Sequence, residues 1–223
     1  MTNDAFIQAF MAGDQEGAAA AFLALQPGVR DLIETQTIYG LFFAQTERFT
    51  EAIAVFRQLT RREPGNKDHW VNLAAAQRDS GDATAALQSY QGALARGAET
   101  WDVLFPMGQI LLDQGKFKGA LGALLKAAEL EPNHFPTRIA LAVSLSALAE
   151  HEHACRLVSD WRVQEPQPVD NLLDIANVFF EGRMWQQAAT AIKPILTSEP
   201  THAGALAIAA RINSQVVNDA SSL

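Results

Sequence analysis

Three side chains with metal-binding chemistry stand close together in this 223-residue sequence: His151, His153 and Cys155. On a helix, His151 and Cys155 share a face, but zinc needs three or four converging ligands with further groups behind them to orient the rings. The chain has one cysteine, so it can form neither an intramolecular disulfide nor a cysteine-only zinc centre. Gly92, Gly97 and Gly108 lack the spacing of a phosphate-cradling loop and follow no strand pattern. No Gly-x-Ser-x-Gly turn or His-Glu-x-x-His helix occurs. Acidic residues are plentiful but regularly spaced, as on solvated helix faces, rather than paired for proton transfer. The reading is therefore no catalytic residue, no metal and no cofactor. His151 and Cys155 read instead as packing residues between helices.

Charge and hydropathy narrow the partners. Twenty-five acidic against 17 basic side chains give a net charge of −8, with 48% hydrophobic residues. Such a chain folds, and it lacks the basic stripe that displaces counterions from a phosphate backbone, so no nucleic acid is expected. Met1-Thr2-Asn3-Asp4-Ala5 has no basic lead-in to an apolar stretch, so no signal peptide is expected. The longest apolar run, Ile139 to Ala149, covers 11 residues and contains two serines, too short for a membrane span. The expected location is the cytoplasm.

The elements that position these residues repeat. Pro64, Pro132, Pro166 and Pro200 lie at multiples of 34 residues, with Ala98 in the vacant place, and each proline marks a helix end. At the same period come Ala18, Ala52, Ala86, Ala120, Ala154 and Ala188. Four residues later stand Phe22, Phe56, Tyr90, Leu124, Val158 and Ile192, all large and apolar. A small-residue column reads Gly40, Ala74, Gly108, Ala142 and Ala176. Spacings of three and four, as in Leu104, Met107 and Leu111, predict helices. Ser80-Gly81-Asp82, Gln114-Gly115-Lys116 and Glu181-Gly182-Arg183 predict the turns between them. Gly108 is expected to face Ala120 and Ala127 at a close helix crossing. Phe6 and Trp161 occupy small columns, which predicts reshaped packing in the first and fifth copies.

These columns resemble the tetratricopeptide repeat, a 34-residue pair of antiparallel helices. The third copy carries the pattern as Trp70, Leu73, Ala74, Gly81, Ala86, Tyr90 and Ala93. The fourth carries it as Leu104, Met107, Gly108, Leu111, Gly115, Phe117, Ala120, Leu124, Ala127 and Pro132. The resemblance implies an all-α fold, a right-handed α-solenoid of antiparallel helix pairs. One solenoid is expected over 1–223, with repeats at about 1–32, 33–66, 67–100, 101–134, 135–168 and 169–202 and a capping helix over 203–217.

In this family the first helix of each pair lines the concave groove where peptides bind. The resemblance thereby implies a partner site at Asp68, Val71, Asn72, Asp102, Phe105, Gln109, Leu112, Ile139, Val143, Asp170, Leu173, Asn177 and Phe180. Only Asn72 matches the family's carboxylate clamp, which needs several basic residues, so acidic chaperone tails are not expected partners. An apolar floor rimmed by Asp68, Asp102 and Asp170 suits a protein or peptide segment that is apolar with basic residues. The competing reading places the same apolar residues against the next repeat, with the acids serving solubility.

The function implied is a non-catalytic, adaptor or co-chaperone-like scaffold. The alternative is a regulatory or substrate-presenting module of a larger enzyme, such as a bacterial transferase. Thr201 to Val217 is apolar nearly all round in its first half, where a cap should show a polar face. Four placements follow: against the groove, on a second copy as a homodimer, at a junction to further chain, or as a plain cap rich in alanine.

Overall fold

The computed structural model describes residues 4–160, 162 and 167–221, with side chains described through residue 215. Among these residues all regular structure is helical, and it gathers into two compact units. The first unit, Met1–Glu99, holds α1 (Asp4–Met11), α2 (Gln15–Leu23), α3 (Pro27–Arg30), α4 (Ile33–Gln45), α5 (Phe49–Arg62), α6 (Lys67–Asp79) and α7 (Ala83–Leu94). The second, Thr100–Leu223, holds α8 (Trp101–Asp113), α9 (Phe117–Leu130), α10 (Phe135–Ala147), α11 (His151–Leu157), α12 (Val169–Glu181), α13 (Trp185–Ser198) and α14 (Ala203–Ser221). The unit boundary coincides with the expected repeat boundary near residue 100. Trp161 and Pro166, which figure in the repeat columns, lie outside the described residues, as do Met1, Thr2 and Asn3.

Within each unit, neighbouring helices pack as hairpins: α1 on α2, α4 on α5 and α6 on α7, then α8 on α9, α10 on α11 and α12 on α13. All six members of the alanine column are completely buried, and the large residues four positions later are buried beside them. Small residues at the crossings let the backbones close up. A Cβ added at Gly108 would lie 2.5 Å from Leu124, and one at Gly40 would lie 2.8 Å from Phe56. The nearest side chain to Gly108 is thus Leu124, on the helix that also carries the fully buried Ala120 and Ala127. Leucine side chains lean toward their own helix's N-terminus, which carries Leu124 over the crossing.

The turn inside each pair also recurs every 34 residues. Gly13, Glu47, Gly81, Gly115, Ala149 and Arg183 all have positive φ, between 58° and 87°. In the sixth pair the left-handed residue is Arg183, whereas Gly182, expected to serve the turn, has φ −76°. Gly182 answers a different need, because a Cβ there would lie 2.5 Å from Cys155 Sγ. At the missing-proline position, α7 instead ends through Gly97 at φ 81°, and Ala98 tucks into the core.

Phe6 is fully buried and its ring meets Phe22 edge-on at 5.5 Å and Tyr39 at 5.8 Å, so the first pair is reshaped by rings. The short helix α3, begun by Pro27 at its first turn, was not anticipated by the repeat pattern. Helix α14 packs on α13 and α12 through Ala205, Ile208 and Ile212, and so joins the core of its own chain. No described helix is long and apolar enough to cross a membrane.

Candidate functional site

In the second unit the first helices of successive pairs, α8, α10, α12 and α14, lie side by side. Their shared face carries most of the residues expected to bind a partner. Asp102, Phe105, Gln109 and Leu112 sit on α8, Ile139 and Val143 on α10, and Asp170, Leu173, Asn177 and Phe180 on α12. Phe105, Leu112, Val143 and Leu173 are half-buried, backed by core side chains and open on their outer side. Ile139 is the exception. At 2% exposure it belongs to the core with Phe135, Ala142 and Leu172, so it cannot form part of an open floor. Its place is taken up by packing against the neighbouring pair, which the competing reading of the sequence had foreseen for the whole row.

Phe105 is held by partners that the repeat pattern did not reveal. Trp101 stacks on it at 5.2 Å and 11°, and the His134 ring stands edge-on to both. The Trp101 indole N–H donates to Thr137 Oγ1 at 3.1 Å, and Thr137 Oγ1 lies 2.8 Å from His134 Nδ1. His134 Nδ1 also accepts from the Thr137 backbone N–H, capping α10. Burial lowers the His134 pKa, opposed in part by the nearby Glu131 carboxylate. The imidazole is therefore neutral at pH 7, consistent with its acceptor role.

Asn177 and Phe180 are already engaged by the chain itself. Arg211 of α14 lies over the Phe180 ring at 4.0 Å, donates to Glu181 Oε1 at 2.8 Å and to Asn177 Oδ1 at 3.2 Å. Arg211 was missed as a site residue, although it follows Asn177 by one repeat. Higher on α12 stand Asp170 and Asp174, both reached by water. Desolvation by the surrounding protein pushes the Asp174 carboxyl up to about 6, and the Asp170 and Asp113 carboxylates add to the shift. Among the described residues no cation pairs with Asp102, Asp113, Asp170 or Asp174.

Asp68, Val71 and Asn72 belong to the first unit. Val71 and Asn72 are half-buried on α6, and Asp68 is exposed at its start, where its N–H donates to Asn66 Oδ1 at 3.1 Å. Asp68 borders a cleft of about 790 Å³ lined also by Glu34, Thr37, Ile38 and His69. Buried His69 lies 3.0 Å from Glu63, whose carboxyl is held below its ordinary range by Asn66 and His69.

The expected packing roles of His151 and Cys155 are reflected in their placement. His151 is half-buried with Nδ1 3.4 Å from Ser146 Oγ. Cys155 is buried, its thiol pKa raised by desolvation. Among the described residues no three His, Cys, Asp or Glu side chains are grouped so as to hold a metal.

Helix hairpins stacked in a constant register, with a face of half-buried apolar and acidic residues, define a helical-repeat protein. Residues 43–100 and 74–135 match the family pattern described as the tetratricopeptide repeat. Over that span the chain carries the tetratricopeptide repeat, and its fold is the all-α solenoid of that family. Among solved structures it is similar to YrrB, titled a TPR protein with an unusual peptide-binding site. That likeness has a TM-score of 0.69 and 16% identity, and covers 91% of this chain and 96% of the other. A tetratricopeptide repeat protein from Parabacteroides merdae aligns with a TM-score of 0.72 and 15% identity over 96% of this chain and 85% of that one. PilF of Pseudomonas aeruginosa gives 0.64 and 20% identity over 85% and 86%. At these identities the likeness carries the fold. No curated protein matches by sequence.

Proposed function

We propose that this protein is a non-catalytic scaffold that binds a peptide or helical segment on the first-helix face of its second unit. The carrying observation is the half-buried row Phe105, Leu112, Val143 and Leu173 beside carboxylates that no described cation neutralises. Open apolar surface supplies affinity on desolvation, and unpaired negative charge steers and orients a basic partner. Tetratricopeptide repeat proteins act through protein contacts, and the fold's likeness to a protein titled for peptide binding supports a peptide as ligand. On this reading Asp68, Val71 and Asn72 mark the equivalent first-helix face of the first unit. The partner is apolar with basic residues, the setting cytoplasmic, and the Kd for a short segment on the order of micromolar.

The test is affinity capture from native lysate with wild type beside a Phe105→Ala, Leu112→Ala double variant, at low and high salt, with circular dichroism on both proteins. A partner lost by the variant at unchanged helicity, and weakened by salt, supports the reading. Equal capture by both proteins removes the site from this face.

A further inference from the structure

Helix α12 carries the same three-residue arrangement twice. Asn177, Phe180 and Glu181 form one set, and Asp170, Leu173 and Asp174 form the other. Each is polar, large and apolar, then acidic at i, i+3 and i+4, so its members adjoin on one side of the helix. The sets are offset by seven residues, about two turns. The first set is filled: the Arg211 guanidinium lies on the Phe180 ring and bonds to both polar members. Seven residues before Arg211, the same helix α14 places Gly204 beside Leu173. A Cβ added at Gly204 would lie 3.3 Å from His202 Cε1, closer than an ordinary contact, and 3.4 Å from Leu173 Cδ1. The chain therefore reaches both sets from one helix, offering an arginine to one and, at the matching place, a glycine beside His202, whose Nδ1 accepts from the Ala205 N–H. Neither Asp170 nor Asp174 has an ion pair among the described residues.

We infer that Asp170, Leu173 and Asp174 receive an arginine side chain from the partner, in the manner that Arg211 already shows two turns along α12. This rests on the groove reading above and names the partner group that the groove selects. A guanidinium suits the site because its flat, weakly hydrated fork spans two acceptors while its face lies on an apolar side chain. A lysine ammonium is a compact, strongly hydrated point and satisfies only the charge. The carboxylates gain from the pairing, because the mutual repulsion of Asp174, Asp170 and Asp113 is relieved by a cation between them.

Capped tetra-arginine, titrated against the full chain with side-chain carboxyl NMR, tests this directly, with tetra-lysine and tetra-glutamate in parallel. Tetra-arginine should shift the Asp170 and Asp174 signals and lower the Asp174 midpoint. Tetra-lysine should bind at least fivefold more weakly, and tetra-glutamate should leave the signals unmoved. Gly204→Arg should fill the site from within, lowering the Asp174 midpoint without peptide and weakening tetra-arginine at least tenfold. Asp174→Asn, at a water-exposed position, should weaken the peptide similarly and guards against a misfolded Gly204→Arg protein. Unmoved signals with tetra-arginine, or undiminished affinity in Asp174→Asn, would overturn the assignment, and equal binding of tetra-lysine would overturn the choice of arginine. The two proposals fail separately. A natural partner lost by the Phe105/Leu112 variant but kept by Asp174→Asn ends this inference and leaves the groove. Arginine bound at Asp174, with no partner lost through Phe105 and Leu112, does the reverse.

Discussion

The pairs α1/α2 and α8/α9 solve one packing problem in opposite ways. In α8/α9 the crossing residue is Gly108, and Leu124 closes over it at a distance that leaves no room even for a methyl group. In α1/α2 the matching residue is Phe6, entirely buried, with Phe10, Phe22, Tyr39 and Phe42 around it. Tyr39 and Phe42 belong to the next pair, so the ring at position 6 knits α1 to α4 as well as to α2. The 34-residue period therefore specifies where a crossing lies but not what fills it. Close-packed interiors tolerate different shapes provided the volume is matched locally.

That contrast makes opposing predictions testable. Phe6→Ala restores the small residue of the family pattern, yet the structure predicts a cavity among rings and a loss of about 3–5 kcal/mol in urea denaturation. A neutral or stabilising result would show that the ring cluster is dispensable. Ala120→Leu, at a completely buried position of α9, should cost roughly 1–3 kcal/mol by overpacking. If it proved harmless, the close crossing described for α8/α9 would be wrong.

Turn residues extend the comparison to the backbone. Gly115 and Arg183 occupy equivalent left-handed positions, at φ 68° and 58°. Arg183→Gly should stabilise by about 1 kcal/mol, and Gly115→Ala should destabilise by a similar amount, both read from thermal midpoints. The smallest effect concerns charge. Asp174 titrates near 6 in the folded chain against an ordinary 3.8, so the native state holds this proton more tightly than the unfolded state does. Its contribution is therefore full below pH 4 and is lost as pH rises to about 6. Asp174→Asn should be more stable than wild type at pH 8, with the difference vanishing near pH 3.5. A constant difference across that range would mean the carboxyl is not crowded.

The fold was open to reading because burial of a helix pair forces a periodic choice of residue size, and the alanine column records it six times. The groove was less legible, since the same apolar columns serve both open face and repeat-to-repeat packing. Ile139 and Val143 lie one turn apart on α10, yet one is core and the other half-open, and nothing in their type distinguishes them. The turn expected at Glu181-Gly182-Arg183 is present, but its left-handed residue is Arg183 rather than the glycine, because Gly182 answers a side-chain clash with Cys155 rather than a backbone need. Arg211 could have been found, since the repeat period carries Asn177 onto it. Its partner Glu181 lies four residues beyond Asn177, within reach of the same guanidinium.

Cys155 gives the molecule a built-in clock. It is the chain's sole thiol, it is buried against Gly182, and its Sγ lies 3.6 Å from the Val178 carbonyl oxygen. A buried, protonated thiol reacts only when the surface above it parts, so an alkylating reagent added to the native protein counts openings between α11 and α12. The rate of that labelling, compared with the rate for the unfolded chain, measures how often this end of the stack comes apart while the rest stays folded.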